Sequence, residues 1–169
     1  MIVAMVKNIS LPQAALLATA VALAGILSAL AFQHLGGYVP CALCYMQRYA
    51  YYAGVPLAAG SFLLARSGQS GIAALLLALC GLGFAINAGI GVYHSGVEWK
   101  WWEGPTSCGG GDFSAVGGNL LEALEGAKAV SCSEAPWRLL GLSFAGWNVV
   151  ISAGIALVAF LGVRRRRAA

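Results

Sequence analysis

Charge is scarce in this chain. Of its 169 residues only 9% are charged, against 60% hydrophobic, whereas a soluble domain carries about a quarter charged residues. That shortage excludes a soluble globular protein and leaves room for one long polar loop at most. No histidine follows Cys41-Ala42-Leu43-Cys44, where Tyr45 stands, so attachment of a c-type haem is excluded. Among the five cysteines there is no second closely spaced pair of the kind that completes a four-cysteine zinc site.

Long apolar runs are abundant. Four of them match the length needed to cross a hydrocarbon core and predict helices over about residues 13–33, 41–65, 71–94 and 139–163. The expected architecture is an all-α membrane protein, one four-helix bundle over residues 1–169, with a long outer loop at about 95–138. The first run reads as a retained helix and not a signal peptide, because its apolar part is too long and only Lys7 precedes it. Lys7, Arg66 and Arg164 through Arg167 fall on one side of such a bundle with no acid among them. The other side holds four basic and six acidic residues. The excess of Lys and Arg places the first side, with both termini, in the cytoplasm. It also explains the arginine tail better than a nucleic-acid contact does. Cys41, Cys44, Cys108 and Cys132 then lie outside, on the oxidising side of a bacterial inner membrane, where disulfides persist. Cys80, alone in the third helix, is expected to pack as a small apolar residue.

The chemistry is expected in the stretch Pro40 to Arg48. Proline suits a first helical turn, so Cys41 and Cys44 should share that turn, with Cα atoms about 5 Å apart, within disulfide reach. Free backbone N–H groups and the positive end of the helix dipole favour a thiolate there. Arg48, one turn past Cys44 on the same face, adds a cation that lowers a thiol pKa and can hold an anionic ligand. From the residues alone, the pair is a redox dithiol, a structural disulfide or half of a metal site. Tyr45, Tyr49, Tyr51 and Tyr52 read as an interfacial aromatic belt. His34 ends the first helix as an interfacial residue. His94 ends the third at the depth of Cys44 and Arg48 and is either an interfacial or a site residue.

The outer loop opens with Trp99, Trp101 and Trp102 and passes through a glycine-rich stretch. Asn119 to Val130 follow, a short amphipathic helix expected to lie in the interface plane. Cys108 and Cys132 flank that segment. A disulfide closing so long a loop either stabilises it or leaves it free enough to carry a reactive pair.

The whole pattern resembles the DsbB family of disulfide bond formation proteins. The resemblance rests on Phe32-Gln33-His34 ahead of Cys41-Ala42-Leu43-Cys44, on Arg48 and on His94. It continues with a loop cysteine pair, the segment Cys132-Ser133-Glu134-Ala135-Pro136-Trp137, and a fourth helix opening Leu140-Gly141-Leu142-Ser143-Phe144-Ala145-Gly146-Trp147-Asn148. It implies that a DsbA-like periplasmic thioredoxin-fold protein delivers electrons to a Cys108–Cys132 disulfide through attack on Cys108. The loop pair then exchanges with Cys41 and releases Cys44 as a thiolate facing a bound quinone, ubiquinone or menaquinone. Arg48 would stabilise the thiolate and bond a quinone oxygen, and His94 would contact the quinone or aid its proton uptake. No metal is implied. Two enzymatic rivals fit less well. Relatives of vitamin K epoxide reductase carry their Cys-x-x-Cys late in the chain, and a transmembrane thiol carrier needs cysteines deep in its helices. The remaining alternative is a small membrane interaction protein with two structural disulfides.

Overall fold

The computed structural model describes residues 9–38, 40–105, 132–135 and 137–166. Four long helices hold nearly all of them: α1 (Leu11–His34), α2 (Ala42–Arg66), α3 (Ser70–Glu98) and α4 (Phe144–Arg166). A hairpin of β1 (Arg138–Leu139) and β2 (Leu142–Ser143) precedes α4. Cys108 and the amphipathic segment expected over Asn119 to Val130 lie outside the described residues.

The helix boundaries follow local chemistry. The N–H of Ser10 donates to Gln13 Oε1 at 3.0 Å, and Pro12 falls in the first turn, where a missing N–H has no partner to lose. Helix α1 therefore begins at Leu11, slightly ahead of the expected start. Helix α2 begins at Ala42 with Cys41 as its cap, so Pro40 stands just outside the helix and not in its first turn. Helix α3 runs to Glu98, one turn beyond the expected end, and takes His94 into the helix proper. At the other boundary α4 starts later than expected. Leu140 and Gly141 both have positive φ, 53° and 83°, which is the backbone of a two-residue hairpin turn. Residues 138–143 therefore fold back on themselves before the helix begins.

Helices α1, α3 and α4 are long and apolar enough to cross a membrane. Helix α2 has 25 residues, about 37 Å at 1.5 Å per residue, but Cys44, Gln47, Arg48 and four tyrosines make its first turns polar. The helices pack in a ring, α1 on α2, α2 on α3, α3 on α4 and α4 on α1, while α1 and α3 barely touch across it.

Small residues face inward: Ala14, Ala15, Ala18 and Ala22 of α1, Gly54 and Ala58 of α2, Gly81 of α3, Ala159 and Gly162 of α4. Large ones such as Leu16, Leu27, Leu75, Ile86 and Phe160 face outward. In lipid there is no hydrophobic drive to hide leucine, so close backbone approach through small residues holds the bundle together. Phe84, fully buried, fills the centre and lies against Gly54, where a Cβ would collide with its ring. Gly54→Leu should therefore destabilise the bundle by about 1–3 kcal/mol through overpacking. Thermal unfolding in detergent checks this, and an unchanged midpoint would mean that Phe84 is free to move aside.

Inside the bundle, the Tyr51 hydroxyl donates to Asn148 Oδ1 at 2.7 Å. Asn87 Nδ2 donates to the same oxygen at 3.2 Å and to Ser152 Oγ at 3.0 Å. Buried polar groups need such partners, and these tie α2, α3 and α4 together. Tyr51 is thus a core residue and leaves the expected belt. Tyr45, Tyr49 and Tyr52 are exposed, as a belt requires. His34 is exposed at the end of α1, and Cys80 is buried among apolar side chains.

Candidate active site

The start of α2 places its two cysteines together. Cys41 has extended backbone and caps the helix: its Sγ accepts the N–H of Cys44 at 3.3 Å. The two sulfurs are free and 2.9 Å apart. Cys41, Cys44 and His94 bring three potential metal-ligand atoms within 4.8 Å of one another, though the sulfurs stand closer than the about 3.7 Å of two thiolates on one zinc ion with Zn–S bonds of about 2.3 Å. The Cys41 thiol is pushed well below its ordinary pKa. The hydrogen bond from the Cys44 thiol is the main cause, and the nearby His94 imidazole and the Cys44 N–H add to it against the opposing effect of burial. The cap position thus makes Cys41 the sulfur that holds the negative charge in the dithiol.

Helix α3 brings His94 to this point. Its Nε2 lies 3.7 Å from Cys41 Sγ, and its Nδ1 is hydrogen-bonded at 2.9 Å to the side-chain amide of Gln47, three residues past Cys44. Glu98, one turn beyond His94, sets Oε1 at 3.9 Å from the same Nε2. All three are buried. Neither Gln47 nor Glu98 was singled out from the sequence. The available signal was that Glu98 is the first acid in the chain and stands four residues after His94, a spacing that faces one residue toward the other on a helix.

A cavity of about 480 Å³ opens beside the dithiol, walled by α1, α2 and α4 and reached by the end of α3. Gly25, Ala29 and Ile151 give it apolar walls, Phe32, Trp137 and Phe144 give it an aromatic rim, and Cys41, Cys44 and Arg48 stand at its polar end. The rim is a packed cluster, with Phe32 and Phe144 centroids 5.0 Å apart and Trp137 5.1 Å from Phe144. The hairpin before α4 is what delivers Trp137 to it. Arg48 does not extend along its own helix. Its guanidinium donates to Gln33 Oε1 and to the Ala29 carbonyl of α1, the latter at 3.3 Å, and it lies over the Tyr45 ring, 5.4 Å from the centroid.

The loop contributes directly. Cys132 is disulfide-bonded, 1% exposed, and packed into one cluster with Cys41, Leu43 and Val97, with Cys44 beside it. The structure therefore gathers Cys41, Cys44, Cys132, Arg48 and His94 at one end of the bundle, while Cys108 lies outside the described residues.

A free dithiol capping a helix, set among helices able to cross a membrane and touching a cysteine already in a disulfide, defines a membrane thiol oxidoreductase. The chain belongs to the DsbB family: residues 12–162 match the family described as disulfide bond formation protein DsbB. It is similar to disulfide bond formation protein B of Aromatoleum aromaticum, 35% identical over 85% of this chain and 87% of that protein. The proteins of the same name from Verminephrobacter eiseniae and Albidiferax ferrireducens are each 32% identical. They cover 80% and 79% of this chain and 78% and 76% of their own lengths. No solved structure matches the chain significantly. The protein is accordingly a disulfide-generating oxidoreductase of the membrane.

Proposed function

We propose that this chain is a protein-dithiol:quinone oxidoreductase of the bacterial inner membrane. It reoxidises a DsbA-like periplasmic thioredoxin-fold protein and passes the electrons to ubiquinone or menaquinone. In this reading all four helices span the bilayer, both termini are cytoplasmic, and the cysteine pairs lie at the periplasmic surface. The observation that carries it is the packing of disulfide-bonded Cys132 against Cys41, which makes exchange between the two pairs a local step.

The cavity fits a quinone by its own features. Its volume is in the range of small-molecule sites, its walls are apolar, and its polar end offers a thiol and a guanidinium. Bound there, a quinone supplies a two-electron, two-proton acceptor soluble in lipid. The rest is done by the chain. The donor's thiolate attacks the Cys108–Cys132 disulfide, and the dithiol so formed reduces a Cys41–Cys44 disulfide by thiolate attack at Cys41. The helix start stabilises the thiolate form of the pair. Arg48, held by α1, presents its remaining donors to the cavity as an oxygen ligand. The aromatic rim excludes water from the dithiol. The two protons released by Cys41 and Cys44 balance the two taken up with the electrons.

Purified protein in detergent, given a reduced thioredoxin-fold donor and either quinone, should form one quinol per donor dithiol oxidised. Oxidation of the donor with no quinol formed would reject this reading.

A further inference from the structure

Glu98 has no part in the scheme above, yet burying a carboxylate is costly. Among the described residues its Oε2 has no hydrogen-bond partner, while Oε1 faces the one ring nitrogen that also faces Cys41. We propose that Glu98 is a positioning residue for Cys41, acting through His94: it holds the imidazole as the acceptor of the Cys41 thiol proton. The inference rests on the oxidoreductase reading and deepens it by assigning the route of one proton.

The step moves a proton and no electrons. The S–H bond of Cys41 breaks, an N–H bond forms at His94 Nε2, and a thiolate and an imidazolium result. Return of the proton restores both groups. The new positive charge sits 3.9 Å from Glu98 Oε1, so an ionised carboxylate favours the transfer. Gln47 serves both ends of it. With its Nε2 donating to His94 Nδ1, the neutral ring keeps its hydrogen on Nε2 and points it at the thiolate. With the amide turned over, Oε1 accepts from Nδ1–H, which leaves Nε2 free to take the proton or supports the doubly protonated ring.

The groups that face Glu98 among the described residues all enter the balance. His94 lies on its own helix, Cys41 and Cys44 at the start of α2, and Ser143 and Arg138 on the hairpin. The carboxylate repels a thiolate as well as attracting the imidazolium. Ser143 and Arg138 favour its ionised form against the opposing effect of burial, and the ring nitrogen 3.9 Å from Oε1 is where the attraction acts.

The test uses neither quinone nor partner. In a Cys44→Ser background, reduced full-length protein is alkylated with iodoacetamide across a pH series, and the rate at Cys41 is read by peptide mass spectrometry. Glu98→Gln should raise the midpoint of Cys41 reactivity by about one pH unit, which is about tenfold slower alkylation below both midpoints. Glu98→Asp should recover part of the loss. In a His94→Asn background, Glu98→Gln should change nothing further. An unchanged or lowered midpoint in Glu98→Gln, or an undiminished shift without His94, overturns the proposal. Because the measurement is separate from quinone reduction, its failure leaves the oxidoreductase reading standing, and the reverse also holds.

Discussion

Cys132→Ser protein should accumulate as a mixed disulfide with the thioredoxin-fold donor proposed above, whereas Cys108→Ser protein should form none. Cys132 is almost fully buried, packed on Cys41 and Leu43, so an incoming protein thiolate cannot reach its sulfur, and the proposed order has it attack Cys108 instead. Attack there releases Cys132 as the thiol that completes the exchange. Serine cannot take that role, and the joined species should then decay only on the minutes-to-hours scale of unassisted rearrangement. Non-reducing electrophoresis after acid quenching measures its lifetime. Equal trapping in the two variants would reverse or abolish the assigned order.

Arg48→Leu should raise the apparent quinone KM by at least about tenfold. A hydrogen bond from a charged donor contributes about 1.5–3 kcal/mol, and tenfold corresponds to about 1.4 kcal/mol. Gln33 and the Ala29 carbonyl hold the guanidinium at the polar end of the cavity, which leaves it oriented before any ligand arrives. Arg48→Lys keeps the charge but cannot bridge two acceptors of α1 and still present a donor to the cavity, so its KM should lie between those of wild type and Arg48→Leu. Steady-state quinone reduction at saturating donor gives the numbers. Wild-type quinone kinetics in Arg48→Leu would mean that Arg48 serves only to fasten α2 to α1.

The helices were legible in the sequence because each is a local property: an apolar run of sufficient length. The cysteine pair was legible for the same reason, since the cap and the spacing lie within five residues. What could not be read was created by packing between distant segments. Arg48 was placed correctly on its helix, but its partners come from α1, and sequence spacing says nothing about which neighbour a long side chain will reach. Tyr51 matched three interfacial tyrosines in type and depth, and only the arrival of Asn148 from α4 separates it from them. Glu98 at a helix end resembled an ordinary surface acid until α2 and the hairpin closed over it. The start of α4 was misplaced because Leu140 disguises a turn that asparagine or glycine would have announced.

The linked side chains of Tyr51, Asn87, Asn148 and Ser152 lie ten residues past Cys41 along α2, about 15 Å deeper into the bundle. From there to the opposite end, the described residues include no acid, histidine or lysine, and the only charges are arginines at the far rim. Asn148 Oδ1 and Ser152 Oγ accept the bonds that join the knot, while Asn87 Oδ1 and Asn148 Nδ2 have no partner among the described residues, and the packing below it is mostly alanine and leucine. Among the described residues such a plug offers no continuous chain of titratable groups along which a proton could hop. The protein therefore works as a contact insulated on one face. On the function proposed above, electrons would leave into the lipid phase and the proton balance would be settled at the end where the cysteines lie.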